Sequence, residues 1–279
     1  MEIIFSKRMG FCPGVKRAWG LVGKTLQKKD GPIYILGELI HNQEAMDKLN
    51  QWGIKTIDDL NGVKKGKGTV IIRAHGEPPK TYQKLKDLKL KFVDTTCNNV
   101  IKIQNFAKQL SVEGFFVIIC GKKDHPEPKA ILGHVQKGLI VDSINDAKRI
   151  PRMKKIAILS QTTFSPENFR QICQILKKKT KDFKSIETFC QMTHLAQKEA
   201  QKVAKKVELM IVIGGKGSSN TQRLAETCRR LTTTYHVEND EELKKYWFEK
   251  IKQVGITAGA STPDWVIEKV KNKIKSFSC

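Results

Sequence analysis

Seven cysteines stand at positions 12, 97, 120, 173, 190, 228 and 279 of the 279-residue chain, and three of them share a context. Cys12 lies inside Gly10-Phe11-Cys12-Pro13-Gly14, Cys97 follows Asp94-Thr95-Thr96, and Cys190 follows Glu187-Thr188-Phe189. Each precedes a helix-like stretch, and the three are spaced at close to a third of the chain. Thiols at helix N-termini are expected to have lowered pKa values and to be ready ligands. Three thiolates suit zinc with a histidine as fourth ligand, or an iron-sulfur cluster with one iron left open. Cys120 ends an apolar run, Cys173 and Cys228 lie in helical segments and Cys279 is the last residue, so these four read as packing or surface thiols. An odd count without a secretory leader argues against a disulfide framework.

The other reactive side chains fall just behind short apolar runs. Glu2 to Phe5 leads to the Cys12 turn, Ile33 to Leu36 to Gly37-Glu38-Leu39-Ile40-His41-Asn42, and Thr69 to Ile72 to Arg73-Ala74-His75-Gly76. Phe115 to Ile119 leads to His125-Pro126-Glu127, and Ile156 to Leu159 to Ser160-Gln161-Thr162-Thr163. Leu209 to Ile213 leads to Gly214-Gly215-Lys216-Gly217-Ser218-Ser219-Asn220, and Val254 to Thr257 to Gly259-Ala260-Ser261-Thr262-Pro263. Loops of this kind, with glycines that let backbone amides approach closely, suit an anionic ligand.

Near-continuous apolar runs suit strands buried on both faces, and Leu139 to Val141 adds one more. Between the runs, Val15, Ala18, Trp19, Val22 and Leu26 form one helical stripe and Ala196, Ala200, Val203 and Val207 another. Strands alternating with helices give an α/β chain with largely parallel sheets, in which ligands sit beyond the carboxyl ends of the strands.

Hydrophobic residues make up 39% and charged residues 28%, which excludes collagen, coiled coil and wholesale disorder. No apolar run approaches the roughly 20 residues of a membrane span, and the start lacks the order of a signal peptide, so a cytoplasmic protein without membrane contact is the expectation. Lys plus Arg is 51 against 28 for Asp plus Glu, a formal charge of +23. Such an excess favours anionic partners. No aromatic-basic recognition motif accompanies it, so nucleic-acid binding ranks below the other readings and the lysines read as solvated helix faces.

Taken in order, from Gly10-Phe11-Cys12-Pro13-Gly14-Val15 to Gly255-Ile256-Thr257-Ala258-Gly259-Ala260-Ser261-Thr262-Pro263, these motifs resemble the LytB family, the 4-hydroxy-3-methylbut-2-enyl diphosphate reductases. The resemblance implies a trefoil-like arrangement of three small open α/β domains around a central iron-sulfur cluster. The expected domains are 13–95, 96–188 and 189–279, with the N-terminal strand 1–12 joining the third. It implies reductive removal of the allylic hydroxyl of the diphosphate substrate, the last step of the methylerythritol phosphate route, giving isopentenyl and dimethylallyl diphosphate. A 4Fe-4S cluster then has Cys12, Cys97 and Cys190 as ligands and one open iron site. His41, His75 and His125 match the histidines that face the diphosphate, and Ser218, Ser219, Asn220 and Ser261 match its serine and asparagine ligands. Glu127 matches the acid that relays protons, Thr162 the threonine beside the substrate hydroxyl, and Thr193 a further pocket threonine. The implied electron donor is of ferredoxin or flavodoxin type.

Three stretches depart from the family pattern. The usual Cys-Pro-x-Val reads Cys97-Asn98-Asn99-Val100, Lys122-Lys123-Asp124 precede His125, and Gln191-Met192-Thr193-His194-Leu195-Ala196 follow Cys190. A paralogue of the same fold acting on another anionic or allylic substrate is therefore the alternative. His134 and His236 read as structural or surface residues.

Overall fold

Short apolar runs bounded by glycine and polar turns form the inner strands of three four-stranded sheets. The computed structural model describes residues 1–28 and 30–277, so the expectation for Cys279 lies outside the described residues. The first elements are β1 (Glu2–Phe5), α1 (Pro13–Gln27), β2 (Ile33–Leu36), α2 (Gln43–Gln51), β3 (Lys55–Ile57), β4 (Thr69–Ile72), α3 (Pro79–Asp87) and β5 (Lys91–Asp94). There follow α4 (Asn98–Val112), β6 (Phe116–Cys120), α5 (Pro126–Leu132), β7 (Gly138–Val141), α6 (Ile144–Arg149), β8 (Met153–Ser160), α7 (Pro166–Lys177) and β9 (Thr180–Ile186). The chain continues through α8 (Gln191–Ala204), β10 (Leu209–Ile213), α9 (Ser219–Arg229), β11 (Thr233–Val237), β12 (Gln253–Ala258) and α10 (Asp264–Ser276).

The strand orders are β3-β2-β4-β5, β7-β6-β8-β9 and β1-β12-β10-β11. β2, β4 and β5 pair in parallel, as do β7, β6, β8 and β9. The last sheet is also parallel, with Ile3 opposite Val254 and Ile211 opposite Ile256. The chain is thus α/β, with three open parallel sheets as expected. β4 and β10 are buried along their whole length, as residues covered on both faces must be. Each such Ile, Leu or Val contributes about 1.5–3 kcal/mol by leaving water.

The chain forms two compact units, one of residues 1–20, 40–55 and 191–279 and the other of residues 21–39 and 56–190. In the first, Ile211, Ile213, Val254 and Ile256 pack against Val266, Val270 and Ile274 of α10, while Met210 and Val212 face Ala200 and Val203 of α8. In the second, β6 and β8 are covered on one side by Phe169, Ile172 and Leu176 of α7 and on the other by Ile103, Ala107 and Leu110 of α4. Among the described residues no helix is long and apolar enough to cross a membrane.

Four strands escape the sequence pattern, and all lie at sheet edges: β3, β5, β9 and β11. An edge strand has one neighbour and an open side, so polar residues such as those of Thr180–Ile186 are tolerated there.

Candidate active site

In the first unit, three strand ends supply polar loops. Cys12 is half-buried and stands at the start of α1, where Lys16 N donates to its carbonyl at 2.8 Å and Pro13 occupies the first helical position. Its own N–H donates to Ala260 O at 3.0 Å, tying the loop after β1 to the loop after β12. Lys7, Arg8, Met9, Lys16, Met192 and Ala196 are among the residues that line a cleft of about 250 Å³ on which Cys12 opens.

The loop after β10 is the best-built anion cradle of this unit. Gly214 adopts φ +144°, and a Cβ on Gly215 would stand 2.5 Å from the His41 carbonyl oxygen, so only glycine fits the approach of these two loops. Ser218 caps α9 by accepting from Thr221 N at 3.3 Å, and Ser219 begins the helix with its Oγ buried and without a hydrogen-bond partner among the described residues. Asn220 is half-buried in the same first turn. Ser261 Oγ donates to the His41 carbonyl at 3.3 Å, and Asn42 caps α2 by accepting from Ala45 N. A helix N-terminus, a buried unpaired hydroxyl and closely approaching backbone together fit a phosphate group. Thr193 is buried in the first turns of α8, directly behind Cys190 in sequence, whereas His194 beside it is exposed.

In the second unit, Glu127 and Thr162 form the tightest polar pair. Glu127 belongs to the first turn of α5 and is 3% exposed. Thr162 N–H donates to Oε1 at 2.6 Å and Thr162 Oγ–H donates to Oε2 at 2.8 Å. Burial pushes the Glu127 carboxyl up to about 7, against the two Thr162 bonds, which favour the charged form. His125 caps α5 with Nδ1, which accepts from Glu127 N–H at 3.1 Å, so in the neutral ring the proton sits on Nε2. The His75 and His125 rings stand edge to face with centroids 5.1 Å apart. His75 lies in a loop strapped by the ion pair of Arg73 with the buried Glu77 at 2.6 Å. Gln161 Nε2 and Thr163 Oγ1, on either side of Thr162, are buried without a hydrogen-bond partner among the described residues.

Cys97 and Cys190 also belong to this unit and both are half-buried. Cys97 N–H donates to Ala74 O and Cys190 N–H to Thr162 O, so the His75 loop holds one thiol and the Thr162 loop the other. The helix start does not lower the Cys97 pKa as expected: burial pushes the thiol up, and the neighbouring Cys190 and Glu127 add to it, overcoming the pull of the Asn99 and Val100 amides. Among the described residues Cys12, Cys97 and Cys190 form no disulfide, and in this unit the soft sulfur donors Cys97 and Cys190, with Asn99 directed at Cys190, suit an iron-sulfur centre. Cys120 and Cys228 are buried, and burial raises both thiols and Cys173 with them, in keeping with a packing role.

His236, expected to be structural or at the surface, is structural: Nε2 donates to the Gly214 carbonyl at 2.7 Å and braces the cradle. Other supports carry no signal in the sequence, among them Thr262, whose Oγ–H donates to Ile213 O. Thr221 is fully buried against Gly214 and Gly259. The Arg73-Glu77 spacing of four was readable as a pair, but only on a helix; here it closes a loop.

The model of the LytB protein family matches residues 3–275. A relative in Geobacter sulfurreducens, named 4-hydroxy-3-methylbut-2-enyl diphosphate reductase, is 40% identical over 99% of this chain and 98% of its own. One of the same name in Clostridioides difficile is 39% identical over 97% and 98%. Among solved structures, an (E)-4-hydroxy-3-methyl-but-2-enyl diphosphate reductase, described as the terminal enzyme of the non-mevalonate pathway, shares 39% identity with a TM-score of 0.74 over 99% of this chain and 100% of that one. The Plasmodium falciparum E-1-hydroxy-2-methyl-but-2-enyl-4-diphosphate reductase shares 29% with a TM-score of 0.91, over 97% and 87%. With this match running nearly end to end over the cysteine, histidine and phosphate-loop motifs, the chain belongs to the LytB family.

Proposed function

We infer that this chain reductively dehydroxylates 4-hydroxy-3-methylbut-2-enyl diphosphate to isopentenyl and dimethylallyl diphosphate. The observation that carries the reading is a full-length relationship to reductases of that name, combined with a buried carboxyl poised near neutrality at Glu127. Enzymes of the family are iron-sulfur proteins. Cys12, Cys97 and Cys190 are the residues we assign to a 4Fe-4S cluster. When bound, it supplies low-potential electrons and a Lewis-acidic iron at its open position.

The chain's own residues do the rest. Ser218, Ser219 and Asn220 at the start of α9, with Ser261, offer neutral donors to the diphosphate, and the helix N-terminus adds partial positive charge. His41, His75 and His125 are assigned to the same diphosphate, with His125 offering Nε2–H because Nδ1 is already engaged. Glu127 holds a proton at about neutral pH and is assigned to protonate the departing hydroxyl, so that it leaves as water. Thr162 fixes both carboxylate oxygens and, with Thr193, is assigned to line the substrate pocket. The electrons come from outside, and an acidic carrier of ferredoxin or flavodoxin type complements a chain of formal charge +23.

Anaerobic reconstitution followed by iron and sulfide analysis tests the cofactor assignment. The expected result is a brown protein with about four of each per chain. A colourless, iron-free protein would overturn it.

A further inference from the structure

Asn99 stands in the first turn of α4, two positions after Cys97, and its side chain reaches a residue 91 positions further along: Nδ2 donates to Cys190 Sγ at 3.5 Å. Asn99 is half-buried, so the amide is turned toward sulfur at some cost in solvation, while Asn98 beside it is exposed. One short segment thus carries one assigned cluster ligand and contacts the sulfur of another. An N–H directed at a ligand sulfur withdraws charge from it and stabilises the more negative, reduced form. Hydrogen bonds to the sulfurs are among the properties that set the potential of an iron-sulfur centre, and partners just outside the ligands orient them.

We propose that Asn99 is a positioning residue that raises the reduction potential of the centre held by Cys190, through its amide bond to that sulfur. The inference rests on the assignment of Cys190 as a ligand in the proposed function. A packing role alone would leave the potential unmoved, because leucine has the same number and branching of side-chain heavy atoms as asparagine and lacks the donor.

The experiment is a redox titration of the iron-loaded chain, followed by electron paramagnetic resonance, for the parent, Asn99→Leu, Asn99→Ser and Asn99→Gln. The expected result is a shift to more negative potential in Asn99→Leu and Asn99→Ser at unchanged iron content, with Asn99→Gln, which keeps an amide donor, closer to the parent. Loss of iron from the Leu and Ser variants with retention in the Gln variant overturns the claim on the potential, because the amide then holds the ligand in place rather than tuning the centre. Equal potentials in all four proteins overturn it while leaving the proposed function standing. Loss of iron from all three variants overturns it too, because the amide is then not what position 99 supplies. A parent that binds no iron overturns both.

Discussion

Thr162 donates to both oxygens of the Glu127 carboxylate, by its backbone N–H at 2.6 Å and its hydroxyl at 2.8 Å, although the two residues lie 35 positions apart. The carboxylate is thereby held in one orientation, in a place so enclosed that its proton is retained to about pH 7. Two opposed influences meet there: enclosure favours the neutral acid and the Thr162 bonds favour the anion, with enclosure prevailing. An acid near the working pH can both give and recover a proton.

Glu127→Gln keeps the shape and removes the transferable proton, and its amide nitrogen also faces a Thr162 donor without being able to accept from it. Turnover is expected to fall about 10²–10⁴-fold with KM little changed. Steady-state kinetics under a low-potential reductant give the comparison; parental turnover would remove Glu127 from the proton path.

The pH profile follows the same group. The protonated fraction of Glu127 declines as pH rises through about 7, so kcat is expected to decline on that alkaline limb. Thr162→Val deletes one bond to the charged form and is expected to move the limb to higher pH, visible in kcat measured across the range.

Stability should carry the matching sign. Between 4.5, the ordinary value, and about 7 the unfolded chain has released a proton that the folded chain still holds. The contribution is therefore complete below 4.5 and is lost as pH rises to about 7, on the order of 3 kcal/mol in all. Urea midpoints for the parent and Glu127→Gln, taken across that interval, should show the parent's stability relative to the variant falling as pH rises, because the pH dependence of His134 and His236 is common to both.

Single Cys12→Ser, Cys97→Ser and Cys190→Ser variants are expected to lose iron on reconstitution. Cys173→Ser, a half-buried thiol on α7, is expected to retain the parental content. Iron analysis after desalting separates the two groups, and full retention by any of the first three would remove that cysteine from the ligand set.

Gly215→Ala places a methyl group 2.5 Å from the His41 carbonyl, so the loops after β10 and before α2 must part. A loss of about 1–3 kcal/mol of stability is expected from such overpacking. The diphosphate cradle should suffer more than the proton path, so KM should rise more than kcat falls; an unchanged KM would place the diphosphate elsewhere.

The inner strands were legible because a strand covered on both faces must be apolar throughout, as Leu209–Ile213 is. The edge strand Thr180–Ile186 was not, since its open side accepts lysine and aspartate. The residue types of the site were legible because they cluster at strand ends, yet periodicity holds no trace of the Glu127-Thr162 pairing, which arises when β6 and β8 become neighbours. The Cys97 pKa ran against expectation because the helix start was visible in the sequence and the burial that outweighs it was not.

Turnover is measured by adding 4-hydroxy-3-methylbut-2-enyl diphosphate to the iron-loaded chain under anaerobic conditions with reduced viologen, and following both the dye and the products. The expected result is viologen oxidation coupled to formation of isopentenyl and dimethylallyl diphosphate. A fully loaded chain that oxidises no viologen and leaves the substrate intact would contradict it.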